Sequence, residues 1–234
     1  MNGLFNLDSP IMRFLSKVCD LMILNVMCII CCLPIVTAGA SITALYTITM
    51  KMVRGEESYI FKGFLKAFKE NFKQSTIIWL IMAVLGIFVF VDYQAASLLP
   101  ENMSNIFRVL IGALIIFYLM ILSYIFPYTA RFENNIKNIF KNSLLIAILN
   151  LPWTILVIAL PIALGFLTFL TTTTLVYGSM LWMLLGFAVV AYIESMIFRR
   201  VFAKYEPASE EDNTDPDQYT VPEELPDSSK SDNV

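Results

Sequence analysis

Apolar stretches of about twenty residues follow one another along this chain, near residues 18–36, 75–97, 106–128, 143–164 and 174–198, with a shorter one at 37–53. No other feature constrains the fold as tightly. A helix rises about 1.5 Å per residue, so runs of this length match the roughly 30 Å hydrocarbon core of a bilayer. The composition agrees: 58% of the residues are hydrophobic, only 15% are charged, and the mean hydropathy is +0.70. Both shares lie outside the usage of soluble domains. The expected architecture is an all-α, polytopic transmembrane bundle of about six spans over residues 1–204. A disordered acidic tail, 205–234, follows it and holds ten acids against one lysine.

Charge orients the spans. Lys and Arg collect at 13–17, 51–73, 131–141 and 199–204, while the connections near 36–40, 98–105 and 165–173 contain none. The positive-inside rule then places both termini in the cytoplasm and asks for an even number of crossings. The largest basic cluster lies in Lys51–Lys73, where six of the sixteen bases fall. Phe61, Phe64, Leu65, Phe68 and Phe72 recur there at helical spacing, and Lys62, Lys66, Lys69 and Lys73 share another face. This pattern predicts an amphipathic helix in the membrane interface, able to meet anionic lipid or a partner protein. Arg131, Lys137 and Lys141 form a second basic cluster of the same kind.

Two readings of residues 37–53 stand. Gly39, Ala40, Ser41 and Ala44 permit close helix approach, so the segment reads as a short span returning from a tight turn at PIVTAG. Its length, near the lower limit for a crossing, also allows a re-entrant or interfacial helix and five crossings. At the chain start, Leu4, Phe5, Ile11, Met12, Phe14 and Leu15 suggest a segment lying on the membrane surface, with no cleavable leader. Residues 63–78 resemble 131–146, with Phe64, Phe68, Phe72 and Ser75 matching Phe132, Ile136, Phe140 and Ser143. Duplication would explain the match, and so would convergence of two basic amphipathic linkers on Phe and Lys.

Four stretches carry a resemblance: FNLDSPIMRFL, LPIVTAGASITALY, VRGEESYIFKGFLKAFKENFKQST and PYTARFENNIKNIFKNSLL. Together they resemble the YesL-like family of bacterial integral membrane proteins, in the same order over about residues 4–204. That family is a domain of unknown function. Its members tend to be encoded beside genes for polysaccharide breakdown and ATP-driven sugar uptake. The resemblance therefore implies a multi-pass protein of the bacterial cell membrane near carbohydrate utilisation, with a sugar ABC-transporter permease as the implied partner. It carries no catalytic or ligand residues over to this chain.

The chemistry legible in the residues is sparse. There is no histidine, which removes the commonest general base and the Cys/His type of zinc site. The spacing of Cys28, Cys31 and Cys32 is compatible with metal or redox use, but they sit in an apolar helix without a second pair, where cysteine behaves as a small hydrophobe. No cofactor or metal site is expected. Candidate intramembrane polar residues are Asp20, Asn25, Asp92, Asn150 and Glu194, since polar groups in a bilayer are costly and often functional. Asp20 lies a turn from Lys17, Glu194 lies near Arg199, and an Asp92–Arg108 pair across a hairpin is expected. Asn150, followed by Leu151 and Pro152, is the expected place for an inner cavity. Pro34, Pro127, Pro152 and Pro161 should end or kink helices.

No phosphate-binding loop, G-x-S-x-G or H-E-x-x-H pattern occurs. An enzyme is not expected, nor is a nucleic-acid partner, because the basic helix carries an aromatic face and is flanked by spans. Two functions follow. The preferred one is a non-catalytic accessory or regulatory partner of carbohydrate uptake. The alternative is a secondary transporter or channel for a small solute. A homo-oligomer is compatible with either.

Overall fold

The computed structural model describes residues 10–56, 59–96, 98 and 100–205. The sequence readings for residues 1–9 and for the acidic tail beyond Tyr205 lie outside the described residues. Within them the chain is an all-α bundle. Its helices are α1 (Pro10–Cys32), α2 (Ala38–Arg54), α3 (Ile60–Ala96), α4 (Glu101–Arg131), α5 (Ile136–Leu149), α6 (Leu151–Phe169), α7 (Thr172–Leu181) and α8 (Phe187–Phe202). A 3-10 turn, Ile35–Thr37, links α1 to α2, and a π-helical segment, Trp182–Gly186, joins α7 to α8. Five helical stretches are long and apolar enough to cross a membrane: Ile11–Cys32, Ile60–Ala96, Met103–Arg131, Leu151–Phe169 and Thr172–Phe202.

The short segment after the first run is the hub. Helix α2, 17 residues long, packs against α1, α3, α4 and α8, and more than half of it is buried. Its small residues are the cause. A Cβ on Gly39 would lie 2.5 Å from the carbonyl oxygen of Ser75 and 2.5 Å from Trp79 Cβ, so only glycine lets α2 and α3 approach this closely. The preceding turn is tied down twice. Thr37 Oγ1 donates to Cys31 O at 2.7 Å, and Trp79 Nε1 donates to Ile35 O at 2.8 Å. At its other end α2 stops at Gly55, whose φ of 75° is the left-handed cap that glycine adopts without strain.

Helix α3 departs from the sequence expectation. The basic amphipathic stretch and the apolar span after it are one continuous helix of 37 residues. No proline separates the two parts, and the polar Gln74–Ser75–Thr76 sequence is compatible with a helix, so nothing forces the bend that an interfacial segment needs. Phe64 is fully buried, in one core cluster with Leu21 and Leu24 of α1 and Leu45 and Ile48 of α2. Phe61 and Phe72 stay exposed.

The run at 143–164 also differs. The helix begins earlier, at Ile136, and breaks at Asn150, whose backbone (φ −120°, ψ 44°) leaves the helical region before α6 starts with Pro152 in its first turn. Pro127 and Pro161 lie inside α4 and α6, and Pro34 precedes the 3-10 turn. The repeat-matched serines, Ser75 and Ser143, are both fully buried, although one lies within α3 and the other in the shorter α5.

Aromatic rings bind α4 to α8. Tyr124 meets Phe198 edge-on at 5.2 Å, Phe198 stacks on Phe202 at 5.3 Å, and Phe132 meets Phe202 edge-on at 5.4 Å. In lipid the hydrophobic effect does not drive helices together, so such packing contacts carry the association. Large apolar side chains dominate the outward faces of the second half of α3 and of α4. Val84, Ile87, Phe88 and Phe90 of α3, and Ile106, Val109 and Ile116 of α4, are all exposed. That surface suits hydrocarbon and would be a liability in water.

Candidate functional site

Buried polar side chains are spread over the bundle, and two groups of them, around Asn25 and around Glu194, involve α8. Asn25 of α1 is fully buried. Its amide nitrogen donates to Trp182 O at 3.1 Å and Met183 O at 2.7 Å, and its Oδ1 accepts from the Ala188 N–H at 3.0 Å. These are backbone groups at the π-helical segment. A π turn carries one residue more than an α turn and disturbs the backbone ladder on either side. The single side chain of Asn25 repairs both halves of that disturbance.

Further along α8, Glu194 is 3% exposed. Its carboxylate Oε2 accepts a hydrogen bond from the Tyr46 hydroxyl of α2. The expected neighbour, Arg199, instead donates from Nη1 to Val53 O at 3.2 Å. A helix rotates about 100° per residue, so residues five apart point some 140° away from each other. Next to the first pair lies a second, Thr49 Oγ1 and Ser195 Oγ, 2.8 Å apart. One face of Glu194 and Tyr46 borders a cavity of about 360 Å³, otherwise lined chiefly by apolar side chains such as Trp79, Phe126, Val157 and Phe187. Ser195 borders a second hollow of similar size lined by Arg54, Glu56, Arg131 and Arg199. Glu194 and Tyr46 thus line an apolar cavity, and the next residue of α8, Ser195, lines an arginine-rich basin.

Asn150 serves the helix break. Its Nδ2 donates to Ile146 O at 3.0 Å and to the Tyr205 hydroxyl at 3.2 Å. Thr154, one turn on, donates to Ala147 O at 2.8 Å, across the same break. Neither Asn25 nor Asn150 is among the residues lining the Glu194 cavity. Asp20 and Asp92 are half-buried, and among the described residues Asp92 makes no ion pair with the exposed Arg108. The cysteines are free, with Cys28 buried and accepting a 3.4 Å contact from the Ser41 hydroxyl. No cluster of three metal-ligating side chains occurs among the described residues.

The lysine faces lie outside. Lys62, Lys66, Lys69 and Lys73 of α3 and Lys137 and Lys141 of α5 are all exposed, with Lys66 paired to Glu70 at 3.9 Å. Gln74 Nε2 of α3 donates to Asn134 O, in the connection between α4 and α5, at 2.6 Å. The Tyr128 hydroxyl accepts from Asn134 and Asn142 at 2.8 and 2.9 Å. Arg131 is half-buried at the end of α4. Sequence reasoning passed over Tyr46, Thr49, Ser195, Arg54 and Arg199 as site residues. The polar spacing of Thr43, Tyr46 and Thr49 along one helical face was the available signal.

Comparison with known proteins agrees with the sequence resemblance. Residues 21–93 match the family described as "Protein of unknown function, DUF624", a stretch that takes in two of the four segments quoted above. Two proteins of Bacillus subtilis (strain 168) are similar. "Uncharacterized protein YteU" is 27% identical over 126 residues, 53% of this chain and 56% of that protein. "Uncharacterized protein YesL" is 26% identical over 105 residues, 44% of this chain and 49% of that one. The chain spans about half the length of the curated relatives it matches. No solved structure matches it.

Proposed function

We propose that this chain, YesL-like in sequence and an all-α bundle in structure, is a non-catalytic membrane protein that assists or regulates a carbohydrate uptake system. In this reading it is a multi-pass protein of the bacterial cell membrane with both termini in the cytoplasm. One observation carries the proposal. The buried asparagines are engaged with the bundle's own backbone, whereas the exposed polar chemistry is concentrated in the lysine rows of α3 and α5. A protein built this way presents its chemistry to a neighbour. Because α3 is a single helix, its four lysines are held in fixed register with the span, as a docking surface requires. The carbohydrate assignment comes from the family resemblance, and the partner it implies is a sugar ABC-transporter permease. Anionic lipid headgroups are the second ligand suited to the same lysines.

Crosslinking in intact cells grown on plant polysaccharide, followed by gentle purification and mass spectrometry, tests this proposal. A sugar-transporter permease should be recovered in stoichiometric amount, and Lys66→Glu with Lys69→Glu should deplete it. Recovery of this chain with copies of itself alone would refute the accessory reading.

The second reading, transport of a small solute by the chain itself, is favoured by the buried Glu194 beside its cavity. Purified protein in liposomes would then move a sugar or an ion, and Glu194→Gln would stop the movement. Equal flux in empty and loaded vesicles would remove this reading.

A further inference from the structure

At the base-rich end of the bundle, α2, α4 and α8 leave a basin of about 360 Å³ between them. Each contributes one arginine near its C-terminus: Arg54, Arg131 and Arg199. Helix C-termini attract cations, so part of this charge answers the three helix dipoles, and Val53 O takes one N–H from Arg199. Arg54 and Arg199 have more to offer than that. A guanidinium presents five N–H donors in a rigid fork, more than Val53 O and Glu56 take up from Arg199 and Arg54. Ser195 also lines the basin, and Phe202 and Met50 supply apolar wall.

The basin already contains an anion from the chain itself. Glu56, just past the α2 cap, accepts a hydrogen bond from Arg54 Nε. That bond, reinforced by the charges of Arg54, Lys51 and Arg131, holds the Glu56 carboxyl below the usual glutamate range. Glu56 is about half exposed and follows a glycine, so it lies at the mouth of the basin rather than in its floor. A tetrahedral anion suits a basin lined by three arginines better than one carboxylate does, because it offers more oxygens in more directions.

We propose that this basin is a binding site for a phosphate group, with Arg54, Arg131 and Arg199 as its donors and Glu56 as the carboxylate that the phosphate displaces. The chemistry is common to a phospholipid headgroup and to a soluble phosphate ester, and the volume admits a phosphate with a glycerol-sized substituent. This assignment is separate from the exposed lysine rows and does not depend on the accessory reading.

Thermal unfolding of the full chain, delipidated in neutral detergent and followed by tryptophan fluorescence, tests the site. The probes are inorganic phosphate, glycerol phosphate, dioctanoyl phosphatidylglycerol and, as a control without phosphate, dioctanoylglycerol. Phosphatidylglycerol should raise the midpoint saturably and dioctanoylglycerol should not. A matching effect of glycerol phosphate or inorganic phosphate assigns a soluble ligand, and an effect of the lipid alone assigns a headgroup. Arg131→Gln and Arg199→Gln should each weaken the apparent affinity by about tenfold, the loss of one charge-assisted contact. Glu56→Gln should tighten it several-fold, because nothing then has to be displaced. Should the arginine variants fail to fold, Glu56→Gln decides by itself. The proposal falls if no phosphate probe shifts the midpoint, or if Glu56→Gln binds with unchanged or weaker affinity.

Discussion

Replacing Asn25 by Leu tests whether one side chain stabilises the π-helical segment. The two side chains have the same number of heavy atoms, so the exchange removes polar contacts and opens no cavity, and the bulkier methyl groups can only add to the loss. Three hydrogen bonds disappear, to Trp182 O, Met183 O and from Ala188 N–H. Side-chain hydrogen bonds within membrane bundles average about 0.6 kcal/mol, with the strongest near 1.7. Three together should therefore be worth about 2 to 5 kcal/mol, the upper part applying if the abandoned peptide groups find no other partner. Equilibrium unfolding in mixed detergent gives the loss, and hydrogen exchange at the Ala188 amide localises it. A second change sharpens the test. Deleting Met183 takes out the extra residue and lets the segment wind as an α-helix. In that background Asn25→Leu should cost at least about 1 kcal/mol less, a coupling that a double-mutant cycle reads directly. Full stability of Asn25→Leu, with unchanged Ala188 protection, would refute the argument that Asn25 repairs the π turn.

Other outcomes follow from the same structure. Gly39→Val should force α2 from α3, because its Cβ would lie 2.5 Å from Ser75 O and Trp79 Cβ; an overpacking loss of about 3 kcal/mol or more should appear in the same unfolding assay, and Gly112→Ala, with open space around it, should cost far less. Asn150→Leu should lower stability by about 1 to 2 kcal/mol through its bonds to Ile146 O and Tyr205, with the loss concentrated at the α5–α6 junction in hydrogen exchange. Glu56 supplies a pH test. Its carboxyl is depressed in the folded protein, so its contribution is complete above the ordinary value of 4.5 and is lost as pH falls through the lower folded value. Glu56→Gln should therefore make the melting midpoint less steep in acid, by a small amount because the group is half exposed.

The large outlines were legible in the residues because they depend on local composition. Apolar runs of bilayer length, separated by base-rich and base-free connections, determined an all-α bundle with helices long and apolar enough to cross a membrane. The glycine and alanine residues at the start of α2 announced a close approach, and Gly39 makes one. The YesL-like resemblance was carried by stretches of sequence, and the comparisons agree with it. The lysine rows of α3 were readable from their spacing alone, since exposed charge on a helix face needs no tertiary partner.

Only the tertiary structure decided which polar residues meet. Asn25 and Trp182 are separated by 157 positions, and nothing local to either reports that an amide will satisfy a π turn in another helix. Nearness in sequence points Glu194 toward Arg199, but helical rotation turns them apart and Tyr46 of α2 takes the carboxylate. The continuity of α3 was equally hidden. A basic amphipathic stretch followed by an apolar one suits a bent interfacial helix or a straight one, and the choice was made by Phe64 burying itself among residues of α1 and α2. The three arginines of the basin come from helices far apart in the chain, joined where α2, α4 and α8 end together. Periodicity assigns a residue to a face, but its partner depends on how the faces are brought together, and the packing of small residues around α2 decided that here.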